Sequence, residues 1–259
     1  MSTQITTEQV KELRDKTGIS VMQCRKALEE AGGDTEKAIA ILKKGSADIA
    51  LKKADRVAKD GRVIVKTKGN KTVLVPLHCE TDFVSKNEDF VQLLDKLSDL
   101  ALNEGITSMQ EKAKDMIDPV IQKTGEKIEL GQAFEVEGEV IGSYVHNNKS
   151  AVVVSLDGGN ADLAKDVAMH IAAMKPEFIS GDEITAEARN SVTEFFMKDV
   201  EGVNKPEEIK KKMLEGKIGA YFKERTLLDQ SFIKNPDETV SNLLSKNKAK
   251  IKDVKRYAI

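Results

Sequence analysis

The segment Cys79-Glu80-Thr81-Asp82-Phe83-Val84-Ser85-Lys86-Asn87-Glu88 follows a strongly apolar, strand-like run and precedes a helix-like pattern. At that junction a carboxylate and a bare phenyl ring stand side by side. Asp82 can cap the following helix, because an Asp side chain accepts hydrogen bonds from the first unpaired amides. Phe83 can cap nothing. A turn from strand to helix must either bury that ring in the chain's own core or offer it to a partner, and both readings stand on the residues alone.

Other residue types able to do chemistry form no recognisable constellation. The histidines are His78, His146 and His170. His78-Cys79-Glu80 contains the H-x-E string of zinc deaminases, but the P-C-x-x-C partner is missing. His170 lies among Val167, Ile171 and Ala173 in a helical pattern, which reads as an interior or rim histidine. There is no G-x-x-x-x-G-K-[ST] loop, no G-x-S-x-G elbow and no evident set of nucleophile, base and orienting group. Cys24 and Cys79 belong to no paired metal or redox spacing and read as small buried hydrophobes, with a reducing cytosol as the natural compartment.

Composition narrows the class. With 259 residues, 40 % of them apolar and 32 % charged, the chain reads as a soluble globular protein of one to three domains. Trp is absent, so the core is aliphatic. A net charge of -2 argues against direct nucleic-acid binding. No run reaches the length of a membrane span, and Met1 to Val10 lacks the charged and then apolar pattern of a secretory signal. A cytoplasmic location without membrane contact is the expectation.

The elements that must position the segment follow from periodicity and punctuation. Residues 6–44 read as three helices, capped by Thr7, Ser20 and Asp34 and broken at Thr17-Gly18 and Gly32-Gly33. Residues 46–61, with Lys52, Lys53, Arg56 and Lys59, read as a basic linker. Arg62–Lys68 and Lys71–Leu77 form a hairpin about Gly69-Asn70. Helices are expected over 82–102 and 107–123, and strand character over 126–139. Val140–His146, an Asn147-Asn148 turn, Ser150–Leu156 and a helix over 161–174 repeat the hairpin-then-helix order. The fold class is α+β: two subdomains, each an antiparallel sheet covered by helices on one face. Residues 183–200 and 206–223 read as an antiparallel helical hairpin, each helix about 26 Å long at ~1.5 Å per residue. An extended segment, a helix capped by Thr239 and a last strand over 251–258 complete the chain.

Three stretches together resemble the elongation factor Ts family, the guanine-nucleotide exchange factors of elongation factor Tu. They are Leu13-Arg14-Asp15-Lys16-Thr17-Gly18 continuing through Met22 to Leu28; Cys79 to Asn87; and Ala168-Met169-His170-Ile171-Ala172-Ala173-Met174-Lys175-Pro176. Their order and spacing hold from about residue 7 to residue 259. The resemblance implies a helical module of the ubiquitin-associated type over 1–45 and a linker over 46–61. It implies core subdomains over 62–139 and 140–182, a hairpin arm over 183–225, and a return to the second subdomain over 226–259.

It also implies a function: binding elongation factor Tu carrying GDP, releasing GDP by disturbing the magnesium and phosphate site, and so allowing GTP to load, with no covalent chemistry and no cofactor. By matched position Thr81, Asp82, Phe83 and Val84 approach the partner's magnesium. Arg14, Val21, Met22 and Arg25 lie on the module's docking surface. Tyr144 and His146 match a G-S-Y-x-H stretch facing the partner, and Phe232 lies in a further contact segment. Gln23 stands where an acidic residue is common, Arg25 where Lys is common and His78 where Asn is common. Many relatives continue into another C-terminal helix that contacts the partner, a contact expected to be missing here. The arm leaves homodimer and heterotetramer both open. Two rival classes remain beside this one. One is an interaction scaffold with a peptide-binding module; the other is a small-molecule enzyme using Tyr144 and His146 as proton donors.

Overall fold

The structure, a computed structural model, describes residues 5–259, so Met1 to Gln4 of the stretch read against a secretory signal lie outside it. Three helices come first: α1 (Thr7–Thr17), α2 (Val21–Glu30) and α3 (Thr35–Lys52). Ser20 and Asp34 cap α2 and α3 as their side-chain chemistry predicts. The first cap is Thr6 rather than Thr7, because Thr6 and Gln9 bond each other's backbones in a reciprocal capping box. Val10, Leu13, Cys24, Leu28, Ala38 and Leu42 close a small core between these helices. The linker expected from residue 46 begins later, since α3 runs on through Gly45-Ser46 to Lys52. Ser46 is buried, and its hydroxyl bonds Leu42 and Gln122, so a polar residue that reads as a helix end is instead an interior contact.

β1 (Asp60–Lys68) and β2 (Lys71–Cys79) pair antiparallel without a register break, from Asp60↔Cys79 to Lys68↔Lys71. Next along the chain are α4 (Asp82–Ser85), α5 (Glu88–Glu104), α6 (Ile106–Thr124), β3 (Ile128–Leu130) and β4 (Phe134–Glu137). β2 is flanked by β1 on one side and by β3 and β4 on the other. Side chains on both faces of β2 are buried, which suits the near-continuous apolar run Val73-Leu74-Val75-Pro76-Leu77. α6 presents Met109, Ala113, Ile117 and Ile121 at a spacing of four, and α5 presents Phe90, Leu93, Leu94 and Leu97. The α5 stripe packs on β1 and β2, and α6 packs on α5, α3 and β3 to close the same core.

Contacts divide the chain into two units. The first comprises residues 5–136, 145–151 and 257–259. Within it Asn148 accepts a bond from the Val63 amide, and Lys149 pairs with Asp60 at 2.6 Å. The second unit comprises residues 137–144 and 152–256.

The remaining elements begin with β5 (Val140–His146), β6 (Ser150–Asp157) and α7 (Ala161–Met174). After them come α8 (Ala186–Glu201), α9 (Glu207–Arg225), β7 (Ser231–Phe232), β8 (Asn235–Thr239), α10 (Val240–Lys246) and β9 (Lys250–Ala258). β5, β6 and β9 form a three-stranded sheet. Val152, Val154 and Leu156 pack against Leu163, Val167 and Ile171 of α7. Gly142 permits that approach, since a Cβ there would collide with the backbone of Ala164 and Lys165. α8 and α9 form the expected helical hairpin, with Phe196, Tyr221 and Phe222 in edge contact. The architecture is α+β. No helix among the described residues is long and apolar enough to cross a membrane.

His170 is fully buried in α7 and ties that helix to the extended segment beyond α9. Its Nε2 lies 2.9 Å from Gln230 Oε1, and its Nδ1 accepts from the Ile233 amide at 3.2 Å. Burial holds its pKa below the usual histidine value, against the opposing Gln230 bond. A histidine kept neutral when folded takes up a proton on unfolding. Its contribution to stability is therefore complete above a pH of about 6.5 and declines as pH falls through the lower folded value. The urea unfolding midpoint is expected to drop between about pH 7 and about pH 5, with a shallower dependence in His170→Asn. An identical dependence in that variant would show the imidazole to be unlinked to folding.

Candidate functional site

The loop after β2 contains two helix starts where the sequence pattern suggests one. Thr81, not Asp82, is the N-cap of α4: it has extended backbone, and its hydroxyl accepts from the Val84 amide at 3.4 Å. Asn87 caps α5 by accepting from Asp89. The helix expected over 82–102 is therefore broken at residues 86 and 87. Asp82 is exposed, and its carboxylate pairs with Lys86 at 2.7 Å, one turn ahead, which raises the pKa of Lys86. The capping reading of Asp82 is thus corrected, because the hydroxyl one residue earlier reaches the free amide first.

Phe83 is 82 % exposed, more than any other large apolar side chain in the corner or the N-terminal module. Its neighbours are held inward. Val84 and Ser85 are buried, Val84 within the core formed by β2, α5 and α6. The Ser85 hydroxyl donates to the Asp82 carbonyl at 3.0 Å. One turn of backbone thus projects a phenyl ring into water between two anchored ends. Burying such a ring is worth about 2 kcal/mol, and folding leaves that free energy unused here.

Below the corner lies a set of polar contacts that no sequence pattern announces. Glu126 accepts from the Glu80 amide at 3.1 Å, the Thr81 amide at 3.0 Å and the Thr81 hydroxyl at 2.6 Å. In return Glu80 accepts from the Lys127 amide at 2.7 Å and from Arg56 at 3.3 Å. The Lys127 amide, with help from Arg56, holds the Glu80 carboxyl below its ordinary range, although burial opposes this. Cys79 is fully buried, and its thiol lies 3.2 Å from the Thr81 carbonyl. Burial foremost, with the charges of Asp60 and Glu126, pushes that thiol up to about 12, so it stays neutral and is no nucleophile. His78 bonds the Tyr257 hydroxyl at 2.7 Å, and no group of three His, Cys, Asp or Glu among the described residues is placed to hold a metal ion.

The other expected contact residues are distributed over both units. Arg14, Val21, Met22 and Arg25 are exposed on the N-terminal module, Met22 at 79 %, and Arg25 pairs with Glu29 at 3.1 Å. His146 is exposed in the first unit, next to Asn147. Tyr144 is half-buried and packs on the core of the second unit. Phe232 departs from the expectation of a contact residue. It is buried at 4 % in that core beside His170, with ring centroids 5.8 Å apart. The next residue, Ile233, is 46 % exposed. β7 ends at Phe232, and Ile233 opens the turn into β8, so its side chain leaves the core where the strand stops.

A family model described as Elongation factor TS matches residues 80–259. A protein named elongation factor Ts from Hahella chejuensis is 40 % identical over 262 residues, covering 98 % of this chain and 92 % of its own. One of the same name from Alcanivorax borkumensis is 39 % identical, covering 96 % and 92 %. Another from Pseudomonas syringae pv. tomato is 40 % identical, covering 96 % and 88 %.

Because Phe83 contributes almost no buried surface, Phe83→Ala is expected to leave the thermal midpoint unchanged within about 1 °C. Phe90→Ala, which empties the fully buried site beneath the corner, is expected to cost about 3–5 kcal/mol in urea unfolding. A large loss from Phe83→Ala would mean that the ring packs on its own chain.

Proposed function

This chain belongs to the elongation factor Ts family of translation elongation factors, and from that premise we propose that it binds elongation factor Tu carrying GDP and speeds GDP release by disrupting the magnesium and phosphate site. GTP then loads into the emptied partner. The observation that carries the reading is the exposed Phe83, held on an anchored turn beside the exposed carboxylate of Asp82.

The physical basis is differential binding. Phosphate oxygens, magnesium and loop amides hold one another in the nucleotide site of a G protein. A second protein accelerates release only if it binds better to states in which that set is broken. Phe83 enters an apolar pocket of the partner and displaces the segment that supports the metal. Transfer of one phenyl ring from water supplies about 2 kcal/mol, or one to two decades in an equilibrium constant. Asp82 adds negative charge where phosphate charge must leave, once it exchanges its pairing with Lys86 for the partner.

The rest of the coupling comes from further contacts, made by each unit separately. Arg14, Val21, Met22 and Arg25 dock the N-terminal module. Tyr144 and His146 add contacts from β5, and Ile233 takes the place expected of Phe232. Thr81 and Val84 act from below the surface as cap and anchor. The protein performs no covalent chemistry in this role, needs no cofactor and works in the cytoplasm.

Stopped-flow release of labelled GDP from elongation factor Tu tests this reading. The wild-type protein is expected to accelerate release strongly, and Phe83→Ala to lose about one to two decades of that acceleration. Release that is fast and unchanged with Phe83→Ala would remove the ring from the mechanism.

A further inference from the structure

We propose that Glu126 is a positioning residue for nucleotide exchange, its carboxylate fixing the direction in which Phe83 leaves the corner by holding the Glu80 amide, the Thr81 amide and the Thr81 hydroxyl. The assignment rests on the proposed exchange function.

The geometry that carries it begins where the sheet stops. β2 and β3 pair through Leu77↔Leu130, His78↔Glu129 and Cys79↔Ile128, and the ladder ends there. The next amides, those of Glu80 and Thr81, have no strand partner. Glu126 Oε2 accepts both, at 3.1 and 3.0 Å, and Oε1 accepts the Thr81 hydroxyl at 2.6 Å. Glu80 answers by accepting from the Lys127 amide at 2.7 Å. Two carboxylate–amide bridges thus extend the strand pairing past its end and stop at Thr81, two residues from Phe83.

A helix as short as α4 (Asp82–Ser85) cannot hold its own orientation, because one turn does not repay the entropy of nucleation. Its direction is inherited from Thr81, whose hydroxyl caps it while donating to Glu126. Gly125, in left-handed backbone at the end of α6, turns the chain so that the next side chain is delivered under the corner. Lys53, beyond the end of α3, donates to the Gly125 carbonyl, and Arg56 pairs with Glu80. The stalk of the N-terminal module therefore grips the same corner. Glu126 never reaches the surface that Phe83 occupies; it acts through the backbone.

The test is the dependence of GDP release from elongation factor Tu on the concentration of the full-length protein, which separates the maximal rate from half-saturation. Glu126→Ala is expected to lower the maximal rate about tenfold, equivalent to about 1.4 kcal/mol, with half-saturation unchanged within about twofold. Glu126→Gln should restore most of the rate, since its carbonyl oxygen accepts both amides and its amide group donates to the Thr81 hydroxyl. In a Phe83→Ala background, Glu126→Ala should cause no further loss, as a residue acting only through that ring requires. Should Glu126→Ala fail to fold, Glu126→Asp carries the same expectation at smaller size, its shorter side chain falling short of the amides. Full activity of Glu126→Ala, additive losses with Phe83→Ala, or a loss confined to half-saturation would each overturn the assignment while leaving the exchange function intact. A wild-type protein without effect on GDP release would overturn both.

Discussion

Backbone amides beyond the last rung of a ladder still need acceptors, and leaving one buried and unpaired costs about 1–3 kcal/mol. At Glu80 and Thr81 the acceptor is a single carboxylate, that of Glu126 just past the end of α6. That one solution shapes the whole corner. It lets β2 end abruptly, makes Thr81 a fixed cap, and allows the turn after it to be held from beneath. Nothing needs to fold over the top of the turn to steady it. A phenyl ring can then stand in water without loosening the chain that carries it, because Val84 packs in the core and the buried Ser85 bonds back to Asp82.

The exposed ring is the counterpart of that rigidity. A flexible tip carrying Phe83 would collapse onto any nearby apolar surface or lose entropy on entering a partner's pocket. Preorganisation spares both costs and leaves most of the transfer free energy for the bound state. Under the proposed function, linkage sets the terms of exchange: whatever factor such a protein removes from GDP affinity, GDP removes from the affinity for that protein. A wedge that favoured both partner states equally would bind well and release nothing.

Much of the frame was legible in the residues because local chemistry and tertiary packing agree. Ser20, Asp34 and Thr239 cap the helices they precede. Gly69 has the positive φ that its hairpin turn needs, and α7 spans Ala161–Met174, ending where Lys175-Pro176 forbids continuation. The misreadings share a cause, which is that the deciding partner is distant. Ser46 reads as a helix stop, yet Gln122 of α6 makes it an interior residue. Asp82 reads as a cap, yet Glu126 holds Thr81 in the capping position. Phe232 and Ile233 are both apolar, and only the packing of His170 decides which of them turns inward. Glu126 itself left no trace in any periodicity, since its role depends on the sheet ending at Cys79 and Ile128.

The most direct measurement is the affinity of this protein for nucleotide-free elongation factor Tu and for the same partner saturated with magnesium and GDP, determined for wild type and Phe83→Ala by titration calorimetry. Wedge action requires wild type to prefer the empty partner. It also requires the alanine variant to narrow that preference by about one to two decades, with the loss falling on the nucleotide-free complex. A preference of the same size in both proteins, however tightly either binds, would contradict it.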